Sequence, residues 1–305
     1  MSGNYKYLFG PVPSRRLGRS LGIDVTPMKT CSFDCVFCQL GRTTQLITER
    51  DEFVPFADVC AEIEQWLKTN GGADVITFAG SGEPTLYSHL GELIDFIKVR
   101  TDIPVIVLSN GTLLHRPDVR AETAKADIVK VSLSAWDESS FQKINRPAPG
   151  LTFKELVAGE RAFRTEFSGE LWIEVFLMDD INADPKQVAR IAALASEIHP
   201  DKIHLNTAVR PPAESSVHPV ASEKLEALCG LFTPRAEVIA SFATDAQSGG
   251  ELNTENLIEL IRRHPATAAQ LAEMFGVKPG ALLPLLNDAR LQTEVRGEET
   301  YYICR

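Results

Sequence analysis

Three cysteines stand in one short run, Cys31-Ser32-Phe33-Asp34-Cys35-Val36-Phe37-Cys38, separated by three residues and then by two. Thiolates are soft ligands that suit zinc or iron–sulfur clusters. The remaining cysteines, Cys60, Cys229 and Cys304, are scattered. A disulfide framework would spread its cysteines and need an oxidising compartment, so the trio reads as a metal site. Structural zinc usually takes four protein ligands, commonly as two pairs. No fourth ligand lies near the trio, because His89 and His115 belong to later segments. Three thiolates on a four-iron cluster leave one iron open to a small molecule, an opening that a fourth cysteine would close. Spacing alone favours the cluster and leaves zinc as the alternative.

The elements that must hold this loop follow a simple alternation. Short apolar runs at 21–25, 75–78, 105–108, 128–133, 171–177 and 203–205 are mostly rich in β-branched residues, as buried parallel strands are. Amphipathic stretches at 56–68, 90–99, 118–126, 153–167 and 185–198 lie between them. Asp184 before Pro185 is a helix start, with the acid as cap and proline in the first turn. Six βα units in a row predict a parallel sheet with helices outside it, as an open barrel or a doubly wound sheet. The cysteine trio follows the first strand, at the end of the sheet where such folds build sites.

Near Gly249-Gly250 the pattern changes to helices at 255–263, 268–275 and 279–291, then two strands across 295–303 around Gly297, with Thr254 placed to cap the first helix. This order predicts a winged-helix-like domain at 250–305 after a large domain at 1–249. Winged helices often bind DNA, but this segment holds more acids than bases. A peptide or protein contact, or a structural role, therefore ranks above DNA binding. The net charge of −10 also disfavours a non-specific grip on nucleic acid. Lys6, Arg15, Arg16, Arg19 and Lys29 precede the cysteines against one acid, Asp24, and could form a patch for an anionic partner or simply be solvated. No apolar stretch is long enough to span a bilayer, and the first residues lack a signal-peptide core, which predicts a cytoplasmic protein without a membrane partner.

The spacing of Cys31, Cys35 and Cys38, with Phe37 directly before the third, resembles the signature of the radical S-adenosylmethionine superfamily. The resemblance implies a partial (βα)6 parallel barrel with a [4Fe–4S] cluster on those cysteines, whose open iron binds S-adenosyl-L-methionine. It further implies that an electron, from a donor such as reduced flavodoxin or ferredoxin, cleaves that cofactor to a 5′-deoxyadenosyl radical that abstracts hydrogen from a substrate. Ala79-Gly80-Ser81-Gly82-Glu83-Pro84 resembles the superfamily's Gly-Gly-Glu segment, which implies cofactor contacts from Gly80, Ser81, Gly82 and Glu83. Glycine permits close backbone approach and a carboxylate can accept from an ammonium. Ser109-Asn110-Gly111-Thr112 resembles the Thr-Asn-Gly turn and implies Asn110, although Asn-Gly also makes plain turns.

Further positions follow in chain order. Ser132 and Ser134 end the fourth strand, from which members reach the ribose or the methionine carboxylate; alternation points Ser134 the same way as Ser132 and Lys130, and Ser134 is nearer the mouth. Glu174, a charge inside the fifth apolar run, needs either a ligand or a base such as Lys130. Asn182 resembles an asparagine that touches the cofactor in relatives, and Asn206 at the end of the sixth strand would approach the adenine. Asn145-Arg146-Pro147 and Arg210-Pro211-Pro212 lie on the same face and either meet substrate or shape turns.

The runs 10–24, 38–43, 143–147 and 206–212 are similar to the superfamily group labelled as related to wyosine-tRNA synthetases, a likeness that spans roughly residues 7–240. Synthetases of that type carry further cysteines ahead of the trio for a second cluster, and this chain has none before Cys31. The sequence thus predicts a radical enzyme acting on an unidentified substrate. A tRNA-base-modifying enzyme, a peptide- or protein-modifying enzyme, and a non-catalytic iron–sulfur or zinc regulator on DNA are the alternatives.

Overall fold

The computed structural model describes residues 5–14, 17–69, 72–239, 252–296 and 299–304. Arg15 and Arg16, the expected domain boundary at 249/250 and Gly297 lie outside the described residues.

The strands are β1 (Leu8–Ser14), β2 (Gly18–Ile23), β3 (Thr30–Cys31), β4 (Gln45–Leu46), β5 (Val75–Phe78), β6 (Val105–Leu108), β7 (Ile128–Ser132), β8 (Glu170–Leu177), β9 (Lys202–Thr207), β10 (Glu237–Val238), β11 (Ala266–Thr267), β12 (Leu291–Arg296) and β13 (Glu299–Cys304). The helices are α1 (Phe56–Thr69), α2 (Leu90–Lys98), α3 (Pro117–Thr123), α4 (Glu138–Ile144), α5 (Phe153–Glu166), α6 (Pro185–Ile198), α7 (Ser222–Cys229), α8 (Thr254–Arg263), α9 (Ala268–Phe275) and α10 (Pro279–Leu286).

An eight-stranded sheet runs in the order β1-β2-β5-β6-β7-β8-β9-β10. All neighbours pair in parallel except β1, which is antiparallel to β2. The six expected βα strands are β2 and β5 to β9. The edge strand β1 is not legible from alternation, since Gly10, Pro11 and Pro13 all argue against a strand. Proline is tolerated there because an edge strand need not donate on its outer side.

Side-chain alternation divides the sheet into two faces. Ile23, Phe78, Val107, Val131, Val175 and Leu205 point outward and are fully buried in the main core under the helices. On the inner face, Val75, Ile106 and Trp172 join Leu17 in an apolar layer at the strands' N-terminal ends. One pleat higher the inner residues are Thr77, Leu108, Lys130, Glu174 and Asn206. Closed eight-stranded barrels fill their interiors with branched side chains. Here the upper layer, mixed in character, encloses a cavity of about 380 Å³ above the apolar floor.

Residues 252–304 add helices α8 to α10 and a three-stranded antiparallel sheet, β11-β13-β12, around a separate core of Leu257, Ile261, Leu271 and Leu282. Details differ from the sequence expectation. Asn253, not Thr254, caps α8, because its side chain accepts from the Asn256 amide. The third helix ends at Leu286 and the hairpin starts at Leu291, so the residues between them serve as a turn. The short strand β11 is an addition.

The described residues of the basic stretch do not form one patch. Arg19 begins β2 beside Asp74, whereas Lys29 lies beyond that strand's other end, near Gly41. Lys6 sits over the Tyr7 ring. Among the described residues no helix is long and apolar enough to cross a membrane.

Candidate metal and cofactor site

Cys31 closes β3, and the loop through Cys38 crosses the C-terminal end of the sheet. Asp34 pins this loop: its carboxylate accepts from the Thr43 amide at 2.8 Å and from Arg42 Nε at 2.8 Å. Arg42 and Arg146 both also reach Glu214. Amide donors point at two of the sulfurs. Phe33 N and Asn110 Nδ2 lie 3.4 and 3.5 Å from Cys31 Sγ, and Asn145 Nδ2 lies 3.5 Å from Cys35 Sγ. Asn145 follows α4, whose start is fixed by a capping box between Asp137 and Ser140. The sequence left Asn145 as a substrate-facing or turn residue, and the structure sets it against a thiol.

Burial pushes the Cys31 thiol up to about 12, with the nearby Glu83 carboxylate adding to it. Burial likewise raises Cys35 well above its usual value, assisted by the neighbouring thiols, and raises Cys38. Three partly sequestered thiols without a cation remain protonated, and a metal centre would hold them as thiolates. Among the described residues no three His, Cys, Asp or Glu side chains converge on a single ion. A cluster does not require that, since each sulfur binds a different iron. This all-sulfur donor set, with N–H groups aimed at it, suits an iron–sulfur centre. Cys60, Cys229 and Cys304 sit apart as free thiols on α1, α7 and β13.

The loop after β5 is built around two carboxylates. Asp24, just beyond β2, accepts from the Ser81 amide at 3.1 Å and from Ser81 Oγ at 2.5 Å. Gly80 has φ +142°, and a Cβ there would come within 2.5 Å of Asp24; one on Gly82 would lie 1.8 Å from the Thr30 carbonyl oxygen. Both glycines are thus required by close approach. Glu83 is buried and accepts four hydrogen bonds, from Thr85 N and Oγ1, Ser109 Oγ and Asn110 N. It joins the loop after β5 to the turn after β6. Asn110 in turn bonds Ser32 and Thr112.

Ser132 and Glu174 line the cavity, and so does Asn206. Glu174 stands 3.6 Å from Lys130 and accepts from Asn206 Nδ2 at 3.2 Å, so the carboxylate has the lysine partner that its burial requires. Ser134 lies two residues beyond the end of β7. It is buried, and its hydroxyl accepts from the Phe176 amide. Asn182 is also fully buried; it ties the Ser134 and Phe176 carbonyls to the Met178 amide. Phe37 stacks on Phe176 at 4.3 Å between ring centroids, which sets the third cysteine against β8.

The residues sequence reasoning missed come from far along the chain. Gln39, next to Cys38, donates to the Arg263 carbonyl and contacts His264 Nδ1, and it accepts from Arg210. Leu260, His264, Gln270, Glu273 and Met274 complete the cavity wall. No local pattern marks these residues, since Gln39 meets Arg263 and His264 across more than two hundred residues of chain.

Comparison with known proteins agrees with this geometry. The Radical SAM superfamily profile matches residues 25–192. A protein named GTPase Obg from Brachyspira hyodysenteriae is 36% identical over 297 residues; the match covers 96% of this chain, which spans only 44% of that longer protein. A UPF0026 protein of Methanocaldococcus jannaschii is 33% identical, over 88% of this chain and 85% of that protein. Among solved structures, Streptococcus suis SuiB is similar at a TM-score of 0.53 and 16% identity, covering 72% of this chain and 48% of that chain. The maturase HydG of Carboxydothermus hydrogenoformans gives a TM-score of 0.51 at 17% identity, covering 79% of this chain and 56% of that one. These structural likenesses speak to fold. With the profile covering more than half of its length, the thiol loop included, the chain belongs to the Radical SAM superfamily of enzymes, which use an iron–sulfur cluster and S-adenosylmethionine.

Proposed function

We propose that Cys31, Cys35 and Cys38 hold a [4Fe–4S] cluster and that the chain turns over S-adenosylmethionine reductively, acting on a small molecule held in the barrel cavity. The observation that carries this reading is the thiol loop at the rim of a largely apolar cavity that carries a few polar groups, Lys130, Ser132, Glu174 and Asn206 among them, above an apolar floor. Bound together, the cluster and cofactor supply one-electron cleavage of the sulfonium, giving methionine and a 5′-deoxyadenosyl radical that takes a hydrogen atom from substrate. The chain's own residues position these groups. Asn110 and Asn145 direct N–H groups at the sulfurs, the Gly80-to-Glu83 loop offers backbone to the methionine end, and Ser132, Glu174 and Asn206 offer polar contacts inside the barrel. Ser134 and Asn182 support the cofactor wall from behind.

Residues 252–304 cover one side of the cavity, which favours a small substrate over a folded tRNA or a protein. A reduced flavodoxin or ferredoxin is the proposed donor, and the proposed setting is the cytoplasm. Anaerobically reconstituted protein given dithionite and S-adenosylmethionine is expected to form 5′-deoxyadenosine and methionine in equal amounts. A stable cluster with no cleavage under any reductant would overturn the proposal.

A further inference from the structure

Arg263, at the end of α8, is only 7% exposed. An arginine that deep must be paired. Its Nε donates to Asp24 Oδ2 at 2.8 Å and its Nη1 to Glu259 Oε2 at 2.6 Å, while its guanidinium lies 4.9 Å from the centre of the Phe9 ring. Asp24 is the carboxylate that holds the amide and hydroxyl of Ser81. One buried acid thus fastens helix α8 to the loop after β5. The Arg263 carbonyl also accepts from Gln39, beside the third cysteine. Both loops that frame the thiol site therefore meet a single residue of the C-terminal segment, and the next residue, His264, faces the cavity.

We propose that residues 252–304 form a wall of the reaction chamber and that Arg263 is the positioning residue that sets this wall in register with the cofactor loop through Asp24. The inference rests on reading the cavity as that chamber. An ordinary interdomain ion pair would stabilise the contact between the two units. A register device must in addition fix the Ser81 loop, and the shared carboxylate provides that link. Lysine can restore the charge but not the planar fork that reaches Asp24 and Glu259 together.

The test compares the reconstituted wild-type chain with Arg263→Gln and Arg263→Lys by hydrogen exchange, by equilibrium binding of S-adenosylmethionine, and by iron content. Arg263→Gln is expected to speed exchange of the Ser81 amide by about tenfold, the loss of roughly one hydrogen bond's worth of protection. It should weaken S-adenosylmethionine binding in the same direction while iron content is unchanged, with Arg263→Lys intermediate. Faster exchange confined to residues 252–304, with Ser81 and cofactor affinity unmoved, overturns the proposal. Should Arg263→Gln fail to fold, Asp24→Asn keeps an acceptor for Ser81 and is expected to shift the same readouts less. Exchange coupling in a chain that never cleaves the cofactor would sustain the coupling and reject the radical chemistry, so the two readings fail separately.

Discussion

Individual side chains define what the thiol loop can do. Cys35→Ala is expected to abolish cluster absorbance and cofactor cleavage, whereas Cys60→Ala, a change in the α1 core, should retain both; iron analysis after anaerobic reconstitution distinguishes them. Asn145→Ala removes an N–H aimed at Cys35 and should make the reduction potential more negative at constant iron content, read by redox titration. Glu160 presents a different case. It is fully buried on α5 with no hydrogen-bond partner for either oxygen among the described residues, and desolvation raises its pKa well above the usual carboxylate range. A raised folded pKa means that the folded chain holds the proton more tightly. Its contribution is fully present below the unfolded value of about 4.3 and is lost as pH rises through the folded value. Replacing it with methionine, of similar length, should remove that decline and stabilise the protein near neutral pH by about 1–3 kcal/mol. Thermal melts of both proteins across pH 4–8 check this, and parallel curves would refute it.

At the level of elements, the alternating strands and their loops do separate jobs. Outward apolar residues pack under the helices, and inward residues line the cavity. The loop after β5 is fixed by contacts on both sides, so its glycines tolerate no side chain. Gly82→Ala would drive a methyl group into the Thr30 carbonyl, next to Cys31. The expected result is a destabilisation of about 1–3 kcal/mol from overpacking, together with poor cluster retention. Denaturant unfolding and iron content measure the two effects. These elements were mostly readable in advance, because buried parallel strands and amphipathic helices leave periodic signals. The edge strand β1 and the short helix α4 were not. Prolines mask the first, and the second is too short for periodicity, although Asp137 and Ser140 carry its capping signal.

For the molecule as a whole, the C-terminal segment supplies part of the cavity wall. Deleting residues 252–305 uncovers Asp24 and Phe9 and removes one side of the cavity. Such a truncation is expected to weaken S-adenosylmethionine binding as well as substrate binding, and equilibrium dialysis of the truncated chain against the full one tests it. A segment serving only for substrate capture would leave cofactor affinity untouched. The amino-acid sequence by itself determined the thiol trio, the order of six βα units and the glycine-rich loop one unit later, since each is written in local spacing and period. Tertiary structure alone decided that Asn145 faces Cys35, that the Ser134 hydroxyl accepts from the Phe176 amide, and that Arg263 meets Asp24. Those outcomes depend on where a strand stops or on which distant segment arrives to neutralise a buried charge, and neither leaves a periodic trace in the chain.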